Sequence, residues 1–208
     1  MFGLDANYLK INETVQLNGQ TPVPTVNQYL RVFRAYVVES GTTQTNEGGI
    51  YIGSGAVAVG VNDNPFAYID PLYGQTMMAI YTIPANTTGY LETFTVSTFQ
   101  TQKEFEVYLV IIPFGGSIRR IEEFHLDIVE FQNLYIPPRA IPARTDIYAM
   151  GEVDVGSGKV SVAFDIVEVQ DGFGLIPDET GVFVANNTVI LFILLIVIIM
   201  IALGSRRR

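Results

Sequence analysis

The chain has 208 residues, enough for one sizeable core, and carries a net charge of −9 from 12 basic and 21 acidic residues. It has no cysteine, no tryptophan and a single histidine, which excludes disulfides, thiolate metal sites and cysteine nucleophiles. Beyond Glu179 the only charges are Arg206, Arg207 and Arg208, so the remainder holds 9 basic against 21 acidic residues without a basic cluster, which argues against nucleic acid as a direct partner.

The opening residues, MFGLDANYLK, have neither a basic n-region nor an apolar h-region, so no secretory signal is expected there. From Tyr8 to Val169 short apolar or alternating stretches are separated by Gly, Asn, Pro and Asp. Thr14–Leu17 is the first expected strand, and Asn18-Gly19 supplies a turn. Tyr29 to Val38 is apolar on both faces and predicts a central strand covered on both sides. Strands are expected at Ile50–Ile52, Ala56–Val61, Met77–Thr82 and Tyr90–Thr98. Phe105, Val107, Leu109 and Ile111 alternate with Glu104, Glu106 and Tyr108, a half-exposed strand ending near Pro113 and the Gly115-Gly116 turn. Ile121–Val129 follows. Pro137, Pro138 and Pro142 then predict an extended loop, because proline cannot donate to a ladder. Asp146–Gly151 and Val160–Ile166 close the series, with Gly156-Ser157-Gly158 as the turn between them.

About ten strands at short spacing, with no sustained helical period among them, predict an all-β domain over residues 1–170: an antiparallel β-sandwich, jelly-roll-like in type. Residues 171–187 read as a linker. Val189 to Leu203 is then an uninterrupted apolar run, VILFILLIVIIMIAL. Taken over residues 188–205 it makes about 27 Å of helix at 1.5 Å per residue, close to the ~30 Å of a bilayer core. The reading is a single transmembrane α-helix with a basic tail at 206–208. The arginines place that tail on the cytoplasm-like side.

Few motifs carry chemistry. Strand alternation puts Glu123, His125 and Asp127 on one face, opposite Phe124, Leu126 and Ile128, so these three form the candidate metal site. A solvent-facing polar stripe explains the same pattern. Asn62-Asp63-Asn64-Pro65 offers oxygens to calcium, but lacks EF-hand spacing and reads as a turn. Gly156-Ser157-Gly158-Lys159 lacks the glycine and hydroxyl that a phosphate loop needs. No serine sits in a Gly-x-Ser-x-Gly elbow, and the adjacent Glu122 and Glu123 point to opposite faces of a strand. No catalytic residue, cofactor or enzymatic activity is therefore assigned. Sequons occur at Asn12, Asn86 and Asn186. Leu175-Ile176-Pro177-Asp178-Glu179-Thr180-Gly181 resembles a sortase signal with one residue too many between Pro177 and Thr180. That layout keeps a cell-surface protein with a C-terminal sorting signal in view, and β-sandwiches also serve as glycan-binding modules.

A wider resemblance runs in order over most of residues 3 to 170. Gly3-Leu4-Asp5-Ala6, Leu17-Asn18-Gly19, Thr21-Pro22-Val23, Tyr29-Leu30-Arg31-Val32 with Arg34, Ile83-Pro84-Ala85, Pro113-Phe114-Gly115-Gly116, Glu123-Phe124-His125 and Thr145-Asp146-Ile147 carry it. Together they resemble the β-sandwich structural proteins of marine double-stranded DNA viruses. The resemblance implies a non-enzymatic virion structural protein: a minor capsid, vertex or spike component. Its expected partners are a virion or host membrane, through Val189–Leu203, and other capsid proteins or copies of itself. Proteins of that type have a further strand before the Gly-Leu-Asp-Ala segment, so a first strand is expected to be missing here. The apolar tail departs from their soluble forms. No catalytic residues come with the resemblance.

Overall fold

The computed structural model of the chain describes residues 1–42, 45–98, 104–126, 130–154, 158–172, 176–177 and 183–184. The chain divides into two units, Met1–Val169 and Gln170–Arg208. The described residues are all-β, and every strand pairing whose register is given is antiparallel. Among them no helix is long and apolar enough to cross a membrane. The run Val189–Leu203, expected as a transmembrane helix, lies outside the described residues.

In the second unit the expected linker contains one short antiparallel pair, β13 (Ile176–Pro177) with β14 (Phe183–Val184). The first unit holds β1 (Phe2–Leu4), β2 (Lys10–Asn12), β3 (Arg31–Arg34), β4 (Ile50–Ala58), β5 (Val61–Ile69) and β6 (Ile80–Thr82). They are followed by β7 (Thr87–Ser97), β8 (Phe105–Ile112), β9 (Arg119–Leu126), β10 (Glu130–Ile141), β11 (Asp146–Val153) and β12 (Ser161–Gln170).

Two sheets make the core. One has the order β6-β11-β8-β9, the other β10-β7-β12. Leu91, Phe94 and Val96 of β7 meet Phe105, Val107 and Leu109 of β8 and Ile147 of β11, with Ile83 and Ile141 completing one buried cluster. The facing sheets thus build a sandwich-like core, in which each fully buried Leu, Ile, Val or Phe contributes about 1.5–3 kcal/mol. Alternation explains the partition. In β7, Leu91 points in, and so do Phe94 and Val96 after a one-residue change of phase. Gly89 lets β7 pack closely here: a Cβ would lie 2.4 Å from Cδ1 of Ile83 and 3.2 Å from Cγ2 of Ile166, so the tip of Ile83 would have to move.

The change of phase in β7 matches an irregularity in β10. Leu134 pairs with Thr93, yet the next partner of β7, at Leu91, is Arg139. Three extra residues of β10 are accommodated as a bulge that contains Pro137 and Pro138. The extended loop expected at these prolines is therefore corrected. β10 is an edge strand, where a bulge lets the chain pass two residues that cannot donate and then rejoin the ladder at Arg139, Ala140 and Ile141.

Two smaller sheets accompany the core: β2-β1-β3 and the hairpin β4-β5. Here the central strand expected over Tyr29–Val38 is also corrected. Only Arg31–Arg34 is a strand, it pairs only with β1 among the described residues, and Tyr36 and Val38 are exposed. Apolar content was read as double-sided burial, but the segment lies at the edge of a three-stranded sheet. The first expected strand, Thr14–Leu17, is irregular, although the Asn18-Gly19 turn is present, with Asn18 bridging Thr21 and Gly19 at φ 55°. In the hairpin, Val59 and Gly60 form the turn with φ of 51° and 79°.

Candidate functional site

On one side the two core sheets are not closed against each other. β12 ends its sheet, and among the described residues its outer edge has no ladder partner. The facing edge strand, β6, is only three residues long. Val162, Phe164 and Ile166 of β12 point inward but are only half-buried as a result. Across from them stand Phe2 of β1, Lys10 of β2 and Phe33 and Arg34 of β3. The groove between has a volume of about 1340 Å³. Phe33 packs on Tyr81 with ring centroids 4.7 Å apart, and Phe2 stacks on Tyr36 at 5.5 Å, so aromatic pairs line part of its wall.

One polar cluster crosses this groove. Glu168 continues the inward row of β12, and its carboxylate accepts from the Tyr81 hydroxyl and from Nζ of Lys10. Burial, then the hydrogen bond to Glu168 and its charge, push the Tyr81 hydroxyl well above the ordinary tyrosine range. Tyrosine therefore stays a donor and holds the carboxylate in place. A second tie holds the β1–β3 sheet to the core. Nε and Nη2 of Arg31 donate to the two oxygens of Asp146 at 3.1 and 2.9 Å, and the buried Thr82 hydroxyl donates to the same carboxylate at 2.6 Å.

The second candidate site lies on the outer face of β8 and β9. Register pairs Glu106 with His125 and Tyr108 with Glu123, so these four side chains share a face while Val107 and Phe124 face the core. Nε2 of His125 is 3.4 Å from Oε1 of Glu123 and 3.9 Å from Oε1 of Glu106. The ligating atoms of all three lie within 4.8 Å of one another. Of the three residues expected to share a metal, Glu123 and His125 do come together, and Asp127 lies outside the described residues. Glu106 was the residue missed. It belongs to another strand, and only the β8–β9 register brings it opposite His125; the exposed parity of Glu104 and Glu106 was the one local signal.

Glu122 and Glu123 diverge as strand geometry requires. Glu122 sits opposite Leu109 and pairs with Arg139 at 3.7 Å, while Glu123 turns Oε2 toward Nη1 of Arg120 at 3.9 Å. Asn62–Pro65, expected as a turn in preference to a calcium loop, is instead part of β5, where Asp63 accepts the Ala56 amide of the facing strand at 3.0 Å. Its carboxylate serves the hairpin. The glycine-rich turn before Lys159 lies outside the described residues for residues 155–157. Comparison with models of known families, with curated proteins and with solved structures found no match.

Proposed function

We propose that the chain is a non-enzymatic structural protein of a virion, held to a membrane by Val189–Leu203, with a jelly-roll head completed by a strand from a neighbouring chain. The carrying observation is the strand order. A jelly roll has eight strands in two Greek keys, and its first and last strands are neighbours in one sheet. The orders β6-β11-β8-β9 and β10-β7-β12 account for seven of those positions. The eighth position would lie beside β12, on the edge that borders the groove. Extended segments bind such edges by main-chain hydrogen bonds, with alternate side chains filling pockets. Phe164, Ile166 and Val162 provide those pockets here.

The apolar run near the C-terminus supports the membrane tether, and the ordered resemblance over residues 3 to 170 supports the virion setting. The partner is another capsid protein or a second copy of this chain. The chain has no cysteine, so Ala163→Cys on the exposed side of β12 gives a unique cross-linking handle. In purified particles this variant is expected to cross-link to a second polypeptide and to require detergent for release. Absence of the protein from particles, or a mature mass lacking the last ~25–30 residues as in a processed cell-surface protein, would overturn the proposal.

A further inference from the structure

We propose that Glu106, Glu123 and His125 form a binding site for a divalent transition metal of the zinc type on the outer face of β8 and β9. This goes beyond the structural role above and does not depend on it. Bonds of about 2.0–2.2 Å in a tetrahedral shell place neighbouring ligand atoms about 3.4 Å apart. His125 Nε2 already stands 3.4 Å from Glu123 and 3.9 Å from Glu106, so small rotations of exposed side chains are enough to close the shell. Two strands hold the three ligands through adjacent ladder positions, which fixes their spacing better than a loop would.

The surroundings suit a cation. On the far side of β8, Glu152 is registered directly opposite Glu106, so the row Glu152, Glu106, His125 runs across three strands with no lysine or arginine in it. Like charges facing each other across a ladder are destabilising, and a bound cation offsets that repulsion. Among the described residues Arg120 is the neighbouring cation, with its guanidinium 3.8 Å from the Tyr108 ring centroid. It approaches only Oε2 of Glu123 and leaves Oε1 for a metal. Tyr108 lies beside these ligands on the same face, registered directly opposite Glu123. The imidazole ligand selects zinc, cobalt or nickel over calcium, which prefers oxygen alone.

Calorimetric titration of the full-length chain in nonionic detergent with Zn²⁺ tests the site, with Co²⁺ absorption as a report on nitrogen ligation. Saturable binding of one Zn²⁺ per chain is expected, weakened about tenfold or more in His125→Ala and in Glu106→Gln. His125 is 74% exposed, so its removal leaves the fold intact, and circular dichroism checks this. A Ca²⁺ titration separates a built site from a diffuse acidic surface. No saturable Zn²⁺ binding, binding unchanged in folded His125→Ala, or Ca²⁺ binding as strong as Zn²⁺ would each overturn the assignment.

Discussion

The tie between Arg31 and Asp146 gives the sharpest test of how the groove is walled. Arg31 belongs to β3, which carries one wall, and Asp146 opens β11 in the core. The pair is bidentate, and the two side chains are 36% and 17% exposed. Hydrogen bonds to charged groups contribute about 1.5–3 kcal/mol when well sheltered. The partly exposed guanidinium lowers this, since solvent-facing ion pairs are worth at most about 1 kcal/mol. A coupling energy of about 1–2 kcal/mol between the two side chains follows. Asp146→Ala also strands the buried Thr82 hydroxyl, so its total cost should reach about 2–3 kcal/mol, against about 1–2 for Arg31→Ala. Urea unfolding of the two single variants, the double variant and the parent, in detergent micelles, measures the cycle. The chain has 11 tyrosines and no tryptophan, so tyrosine emission is the signal. A coupling below about 0.5 kcal/mol would refute the reasoning and reduce the pair to a solvated contact.

Two further expectations concern the hairpin and the groove. Val59 sits at φ 51° in a turn that favours Asn-Gly, so Val59→Asn should stabilise the β4–β5 hairpin by about 0.5–1 kcal/mol, read as slower exchange of its ladder amides; unchanged exchange would refute it. Tyr81, raised by burial and Glu168, should matter differently as pH rises. Its contribution is whole below the unfolded tyrosine value of about 10 and is lost above it, so the stability gap between the parent and Tyr81→Phe should narrow from about pH 10 upward. Parallel curves to pH 12 would contradict this.

Much of the core was legible because its signal is local. Phe94 and Val96, like Phe105, Val107 and Leu109, announce an inner face by alternation within a few residues, while Leu91 lies beyond the change of phase. Tyr29–Val38 misled because apolar residues on both sides of a segment signal shelter of some kind, without saying which layer provides it. The prolines of β10 misled in the opposite direction, since a donor-free residue rules out an interior strand but not an edge with a bulge. Half of the metal constellation was readable from Glu123 and His125, two positions apart on one strand. Glu106 is some 20 residues away, and the groove joins segments from both ends of the domain. Such juxtapositions depend on which strands are neighbours, a property set by the whole chain and carried by no single stretch of it.

Glu168 has a consequence for fidelity. On the proposed reading, a partner strand that slipped by one residue along β12 would turn its hydrocarbon side chains to water and its polar ones toward Phe164 and Ile166. Only an aligned chain would escape that cost. Glu168, held by Lys10 and Tyr81, would then serve as the zero mark of a ruler for such a strand.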